Sequence, residues 1–321
     1  MNILVIGGAG YIGSHVVHEL IDHGNNVTIF DDMSSGNEKN IDSRAEFFKG
    51  STLVENDLDQ IMKNSFDGVI HLAASKAAGE SMLHPEKYIK NNLIGSYNLL
   101  LACCRNNINN FVFSSSAAVY GSPQYIPLDE QHPTNPINYY GETKLQIERN
   151  LSWFKRLRNI NYASLRYFNA AGYDINGRIK GKENSPQNLI PIVMETAVGI
   201  RKKMFVFGND YETKDGTGVR DYIHVNDLAT AHLNALNYLN VSNRSVITNL
   251  ATGIGHSVLD VIKETEKISK NRIRYIFTER REGDADIIIS KSLRSQKVLK
   301  WEPKKSDLET LVKTTWDIYK K

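Results

Sequence analysis

The feature that most restricts the fold is a regular alternation along the first half of the chain. Up to about residue 168, short runs rich in β-branched and aromatic residues, "NILVI", "NVTIF", "AEFF", "GVIHLA", "NFVFSSS" and "YASLRYF", are separated by longer stretches with helical character at 11–23, 54–64, 85–106 and 140–157. Runs that are apolar almost throughout, rather than at every second position, belong to strands covered on both faces. Such strands joined by helices build a parallel sheet, so the expected class is α/β, a doubly wound parallel sheet. After residue 169 the pattern changes: "AAGYDINGRIKGKENSPQN" (170–188) has no periodicity and reads as a long functional loop. A second, smaller α/β domain is expected over 169–321, with segments near 219–252, "VRDYIHVNDLATAHLNAL" and "SVITNLATG", returning to the first domain at 1–168.

The first run leads directly into "GGAGYIG", where Gly7, Gly10 and Gly13 are spaced G-x-x-G-x-x-G and a helix starts near Tyr11. Glycines let the backbone turn tightly and approach a pyrophosphate, which rests on the free N–H groups of the helix N-terminus. The second run ends at Asp31, 18 residues beyond Gly13, where a carboxylate can accept hydrogen bonds from an adenosine ribose. Strand, glycine turn, helix and acid in that order predict a Rossmann-type dinucleotide site. Asp31 and Asp32 would repel a 2′-phosphate, so NAD is favoured over NADP.

A second cluster closes the fifth run, "FVFSSSAAVYG", with Ser114, Ser115 and Ser116 at its carboxyl end, the edge at which ligands bind in a doubly wound sheet. The next helix begins "YYGETK". Of the 15 tyrosines in the chain, only Tyr140 has a lysine, Lys144, four residues on, which puts both side chains on one helical face. A free phenol with a pKa near 10 is a poor base at neutral pH, and a nearby ammonium together with an oxidised nicotinamide would favour its phenolate. Ser116 would then hydrogen-bond a substrate hydroxyl, Tyr140 would take its proton as hydride leaves the carbon, and Lys144 would also hold the nicotinamide ribose.

These residues resemble the extended short-chain dehydrogenase/reductase family and, within it, the UDP-glucose 4-epimerases. The likeness runs through "GGAGYIGSH", "VIHLAASKAAGES", "NNLIGSYNLL", "FSSSAAVYG", the Tyr140/Lys144 pair, "LRYFNAAG", "FGNDYETKDGTGVRDYIHVNDLA" and "RREGDADI", essentially the whole chain. It implies reversible epimerisation at C4 of a UDP-hexose through a 4-keto sugar, with Ser116, Tyr140 and Lys144 catalytic. It implies cofactor contacts from Gly7, Gly10, Tyr11, Ile12, Gly13 and Asp31, and further along from Ala73, Lys76, Asn91, Lys144 and Phe168. Arg220 in "GVRDY" and Arg281 in "ERREGD" suit a forked grip on phosphate oxygens, and the resemblance makes both ligands of the substrate pyrophosphate. By the same resemblance Asn169, Asn188, Leu189, Phe207 and Asp284 complete the sugar-nucleotide site. The chain departs from the family pattern at two positions: Ser51 stands where a carboxylate is usual near the adenine, and Ile288 where many members carry an aromatic beside the sugar. Ser116 is followed by Ala117 and Ala118, which leaves elimination chemistry without its acid-base carboxylate. A non-catalytic NAD-binding sensor is the rival of a different class.

Net charge is +3, with no basic block to bind nucleic acid. Cys103 and Cys104 are neighbours in a helical stretch, read as reduced core residues, and no ligand spacing predicts a metal. His71 and His224 read as packed structural residues. With no basic leader and no membrane-length apolar run, a cytoplasmic protein is expected. The family resemblance adds a homodimer through helices of the first domain.

Overall fold

The computed structural model describes residues 1–183, 186–281 and 283–320. Its first part alternates strands β1 (Asn2–Ile6), β2 (Asn26–Asp31), β3 (Glu46–Lys49), β4 (Gly68–His71), β5 (Asn110–Ser116) and β6 (Asn161–Tyr167) with helices α1 (Tyr11–Asp22), α2 (Glu55–Ile61), α3 (Ala78–Leu83), α4 (Pro85–Tyr88), α5 (Gly95–Arg105) and α6 (Tyr139–Arg158). The remainder carries strands β7 (Asn169–Ala171), β8 (Met204–Phe207), β9 (Val219–His224), β10 (Val246–Leu250), β11 (Gly255–Ser257), β12 (Tyr275–Thr278) and β13 (Ile287–Ile288). Its helices are α7 (Leu189–Ala197), α8 (Val225–Ser242), α9 (Val258–Ser269), α10 (Leu293–Leu299) and α11 (Leu308–Tyr319).

A seven-stranded sheet in the order β10-β6-β5-β4-β1-β2-β3 is parallel at every pairing. The run "NILVI" is apolar throughout because both of its faces are buried. Ile3 and Val5 pack with Val16, Val17 and Leu20 of α1 and with Leu228 and Leu236 of α8, while Leu4 and Ile6 pack on the opposite face with Leu99 and Leu100 of α5 and Ile147 and Leu151 of α6. At roughly 1.5–3 kcal/mol for each large aliphatic side chain removed from water, these two layers dominate the stability of this part. The chain winds outward in both directions from β1, so the crevice between the carboxyl ends of β1 and β4 is the switch point at which such sheets bind ligands.

The returning segment divides within 219–252. Strand β9 belongs to a four-stranded sheet with β7, β11 and β13, whereas α8 packs on α1 and β10 forms the edge of the large sheet beside β6. A third core, with Val193 and Met194 of α7, Val261 and Ile262 of α9, and Leu311 and Val312 of α11, supports the smaller sheet. The expected helix 85–106 is interrupted by a wide π-helical turn at Ile89–Ile94, which carries Asn91 and Asn92. Among the described residues no helix is long and apolar enough to cross a membrane.

Candidate active site

At the switch point the backbone comes as close as glycine allows. Gly7 has φ +82°, and a Cβ there would lie 2.7 Å from the backbone N of Ala73, just beyond β4. A Cβ on Gly13 would lie 2.0 Å from the Gly7 carbonyl oxygen. Helix α1 begins after Gly10 with no side chain capping it. This cradle fits a pyrophosphate, and the acid stands beside it. The Asp31 carboxylate accepts from the backbone N–H of Ala9 and of Met33, both at 2.9 Å. Burial pushes its pKa up, and these two bonds counter that shift.

The other residues of the expected cofactor set have partners of their own. Tyr11 donates its hydroxyl to the Gly172 carbonyl, tying α1 to the loop after β7. Ile12 packs against the core below the turn. Asn91 donates to the Ser75 hydroxyl at 3.0 Å, and Lys76 is paired with Glu183 of the long loop. Phe168, Ala117 and Ile288 border a small cluster of Val119, Tyr120, Leu128 and Leu145. Ser51 is held by its own backbone, whose N–H reaches the Asp57 carboxylate at 3.0 Å.

Ser116 ends β5, where its hydroxyl accepts from the Ala118 N–H at 3.1 Å and caps the short 3₁₀ turn Ala117–Val119. Helix α6 starts next to this turn because Asn138 caps it, accepting from Gly141 N–H at 2.9 Å, and a Cβ on Gly141 would lie 2.4 Å from the Ala118 carbonyl oxygen. Tyr140 therefore reaches Ser116. Burial raises the phenol above its ordinary value of 10, and the hydrogen bond with Ser116 pulls it part of the way back. Lys144 turns toward the carboxyl end of β5. Its Nζ donates to the Ser114 carbonyl oxygen at 2.7 Å, 5.8 Å from the Tyr140 ring centre, and burial lowers its pKa to about 7 against the opposing pull of Glu148.

The expected sugar-nucleotide residues come from β7, β8, β9, α7 and the segment before β13. Arg220 on β9 donates to Asp284 at 2.7 Å, and the Arg281 guanidinium stacks 3.9 Å over the Phe207 ring. Asn169 donates to the Asp221 carbonyl at 2.9 Å, and Asn188 and Leu189 open α7. Ile288 is in register with Arg220 on β9. His71 and His224 are buried, bonded to Ser96 at 2.8 Å and Thr314 at 3.1 Å respectively.

The sequence pattern of the NAD dependent epimerase/dehydratase family matches residues 3–251. The chain belongs to that family. It is 44% identical to the UDP-glucose 4-epimerase of Halalkalibacterium halodurans, an alignment covering 100% of this chain and 96% of that protein. Among solved structures it superposes on the Brucella ovis UDP-glucose 4-epimerase, crystallised with NAD, with a TM-score of 0.97 at 37% identity, covering 99% of this chain and 98% of that one. It likewise matches the UDP-Glc/GlcNAc 4-epimerase of Campylobacter jejuni, with a TM-score of 0.88 at 36% identity and 99% of each chain covered.

Three residues of this epimerase/dehydratase site escaped the sequence reading. Asn92, one residue past Asn91, is buried by the π-helical turn and bridges Ser75 and Thr143, the latter at 3.0 Å. Glu148 and Arg166 form a buried ion pair behind the serine run, with Arg166 Nη2 2.5 Å from Glu148 Oε2. Glu148 continues the four-residue step from Tyr140 through Lys144, and that was the available signal.

Proposed function

We propose that this protein interconverts UDP-glucose and UDP-galactose by inverting C4 of the hexose, with NAD as its resident cofactor. The observation that carries the reading is the meeting of Ser116 and Tyr140 at the carboxyl edge of the sheet that also holds the glycine cradle. Bound NAD supplies a reversible hydride acceptor. Ser116 orients the C4 hydroxyl, Tyr140 removes its proton and later returns it, and Lys144 secures the nicotinamide ribose from the strand end. Arg220 and Arg281 grip the pyrophosphate, with Asn169, Asn188, Leu189, Phe207 and Asp284 around the nucleotide. The sugar itself is held loosely enough for the 4-keto form to turn over between the two half-reactions. In this division of labour residues 1–168, joined by α8 and β10, bind the cofactor, and most of 169–321 binds the UDP-sugar. Ala117 and Ala118, at the position where elimination requires a carboxylate, favour epimerisation over dehydration.

Isoleucine at 288 supports a second substrate pair, UDP-N-acetylglucosamine and UDP-N-acetylgalactosamine, because an aromatic ring there would fill more of the space beside C2. For the quaternary state we propose a homodimer in which a second copy covers α5 and α6. These helices lie side by side, with Asn150 donating to Tyr97 at 3.1 Å, and they expose Leu101 (48%), Trp153 (56%) and Leu157 (65%).

Purified protein mixed with UDP-galactose, without added oxidant, is the test of the reaction. UDP-glucose should accumulate to equilibrium with no net change in NADH. Release of a dehydrated sugar, or no turnover with NAD bound, would remove the assignment.

A further inference from the structure

Behind the catalytic residues, the middle serine of the run "SSS" points away from the crevice. Ser115, fully buried, donates to Glu148 Oε1 at 2.5 Å. The same carboxylate takes both arms of Arg166, Nε at 2.9 Å and Nη2 at 2.5 Å, and Arg166 Nη1 continues to the Tyr120 hydroxyl at 3.1 Å. Glu148 is 2% exposed and Arg166 5%. A buried ion pair is not retained for stability alone, because desolvating both charges consumes most of the Coulombic gain. Here the clamp sits where it governs geometry. Ser115 lies between Ser114, whose carbonyl holds Lys144, and Ser116, whose hydroxyl meets Tyr140, and Glu148 lies one helical turn beyond Lys144 on the helix that carries Tyr140 as well.

We propose that Glu148 is a positioning residue for the reaction. Clamped between Ser115 and Arg166, it sets the height of the serine run against α6, and through it the Lys144–Ser114 hydrogen bond and the approach of Tyr140 to Ser116. Its charge also acts on Lys144. Around that ammonium stand Tyr140 and Glu148 on α6, Phe113 on β5 and His71 on β4, and Glu148 is the carboxylate that opposes the loss of the lysine's proton. The inference rests on the epimerase reading for the consequence in turnover, and on the protein alone for the consequence in charge.

Two variants of the NAD-bound protein separate position from charge. Ser115→Ala removes one arm and leaves the Glu148–Arg166 pair whole. Turnover should fall by roughly tenfold to a hundredfold, the scale of an ångström-sized misplacement, with KM for the UDP-sugar unchanged. Glu148→Gln removes the charge, so the titration of Lys144, followed by NMR of lysine labelled with ¹³C at Cε and without substrate, should move its midpoint down by about one unit. A folded Ser115→Ala with wild-type kcat, or a kcat loss matched by an equal rise in KM, overturns the positioning role. An unmoved Lys144 midpoint overturns the charge role. Should Glu148→Gln fail to fold, Glu148→Asp, which keeps the charge but is one methylene shorter, replaces it: kcat must fall while the Lys144 midpoint stays. Absence of turnover in the wild-type protein would defeat the epimerase reading, and the titration would still decide the part played by Glu148.

Discussion

Lys144 donates to the Ser114 carbonyl oxygen at 2.7 Å and Tyr140 faces Ser116, so the acid-base pair read from the spacing meets one strand end. The Lys144 Nζ stands 5.8 Å from the Tyr140 ring centre, and because burial lowers its pKa to about 7, the charge it presents beside the phenol changes with pH near neutrality.

Replacing Tyr140 by Phe keeps the buried ring and removes the proton acceptor. Turnover of UDP-galactose should drop by a factor on the order of a hundred or more, while UDP affinity measured by calorimetry stays the same. Tyr139→Phe is the control. It lies beside Tyr140 at the start of α6 but makes no bond to Ser116, and near-wild-type rates are expected. Retention of full activity by Tyr140→Phe would return the pair to a structural role.

Nucleotide released by denaturing the purified protein should be NAD. Asp31 accepts two backbone N–H groups, so Asp31→Asn would aim an amide nitrogen at one of them as well as lose the charge that faces the ribose. Bound NAD per chain, measured by absorbance after extraction, should fall sharply. NADP as the sole extracted nucleotide, or a fully loaded Asn variant, would refute the assignment.

What was legible in the sequence has a physical pattern. Strand β1 could be read because burial on both faces leaves an uninterrupted apolar run, and the glycine turn because Gly7 and Gly13 stand where any Cβ would strike backbone. The Tyr140–Lys144 spacing brought the right side chains to one face, yet it could not reveal that Lys144 chooses a carbonyl partner on another element. Glu148 and Arg166 were missed for a related reason. In "QIERN" a glutamate followed by Arg149 and Asn150 looks solvated, and only the meeting of α6 with β6 turns it inward. Strand β9 begins only nine residues after loop residue 210, and nothing in its pattern distinguishes a place in the small sheet from one in the large.

Four histidines make stability depend on acid. Burial lowers His15 and His232 to about 4 and His71 and His224 to about 3, from an ordinary value of 6.5. In each case the folded state stays neutral while the unfolded chain gains a proton below 6.5. Their stabilising contribution is fully present above that pH and is lost as pH falls toward 4 and then 3. Between these limits each contributes a slope of about 1.4 kcal/mol per pH unit. Unfolding by urea should thus become steeply easier below pH 6.5. His232, whose Nε2 has no hydrogen-bond partner among the described residues, is the place to check it: His232→Gln should flatten the slope by one proton. An unchanged slope would show that this ring does not titrate on unfolding.

Ile288 borders the cluster of Val119, Tyr120, Leu128 and Leu145, and Ala117 and Phe168 border it too, so one side of the residue is packed, and on the proposed reading the other faces the sugar. A tyrosine cannot be accommodated by compressing the packed side, where even one extra methylene costs about 1–3 kcal/mol. Its ring must extend toward the substrate. In Ile288→Tyr the loss should fall on the N-acetylated sugar, whose acetamido group needs that space, by roughly tenfold to two-hundredfold in kcat/KM relative to UDP-glucose, the range that shape exclusion in an apolar pocket supplies. The wild-type protein should act on both UDP-glucose and UDP-N-acetylglucosamine. Rates for the two substrates are compared in the two proteins under identical conditions. Equal losses on both, or no activity of the wild type toward the acetylated sugar, would mean that the size limit is set by residues other than Ile288.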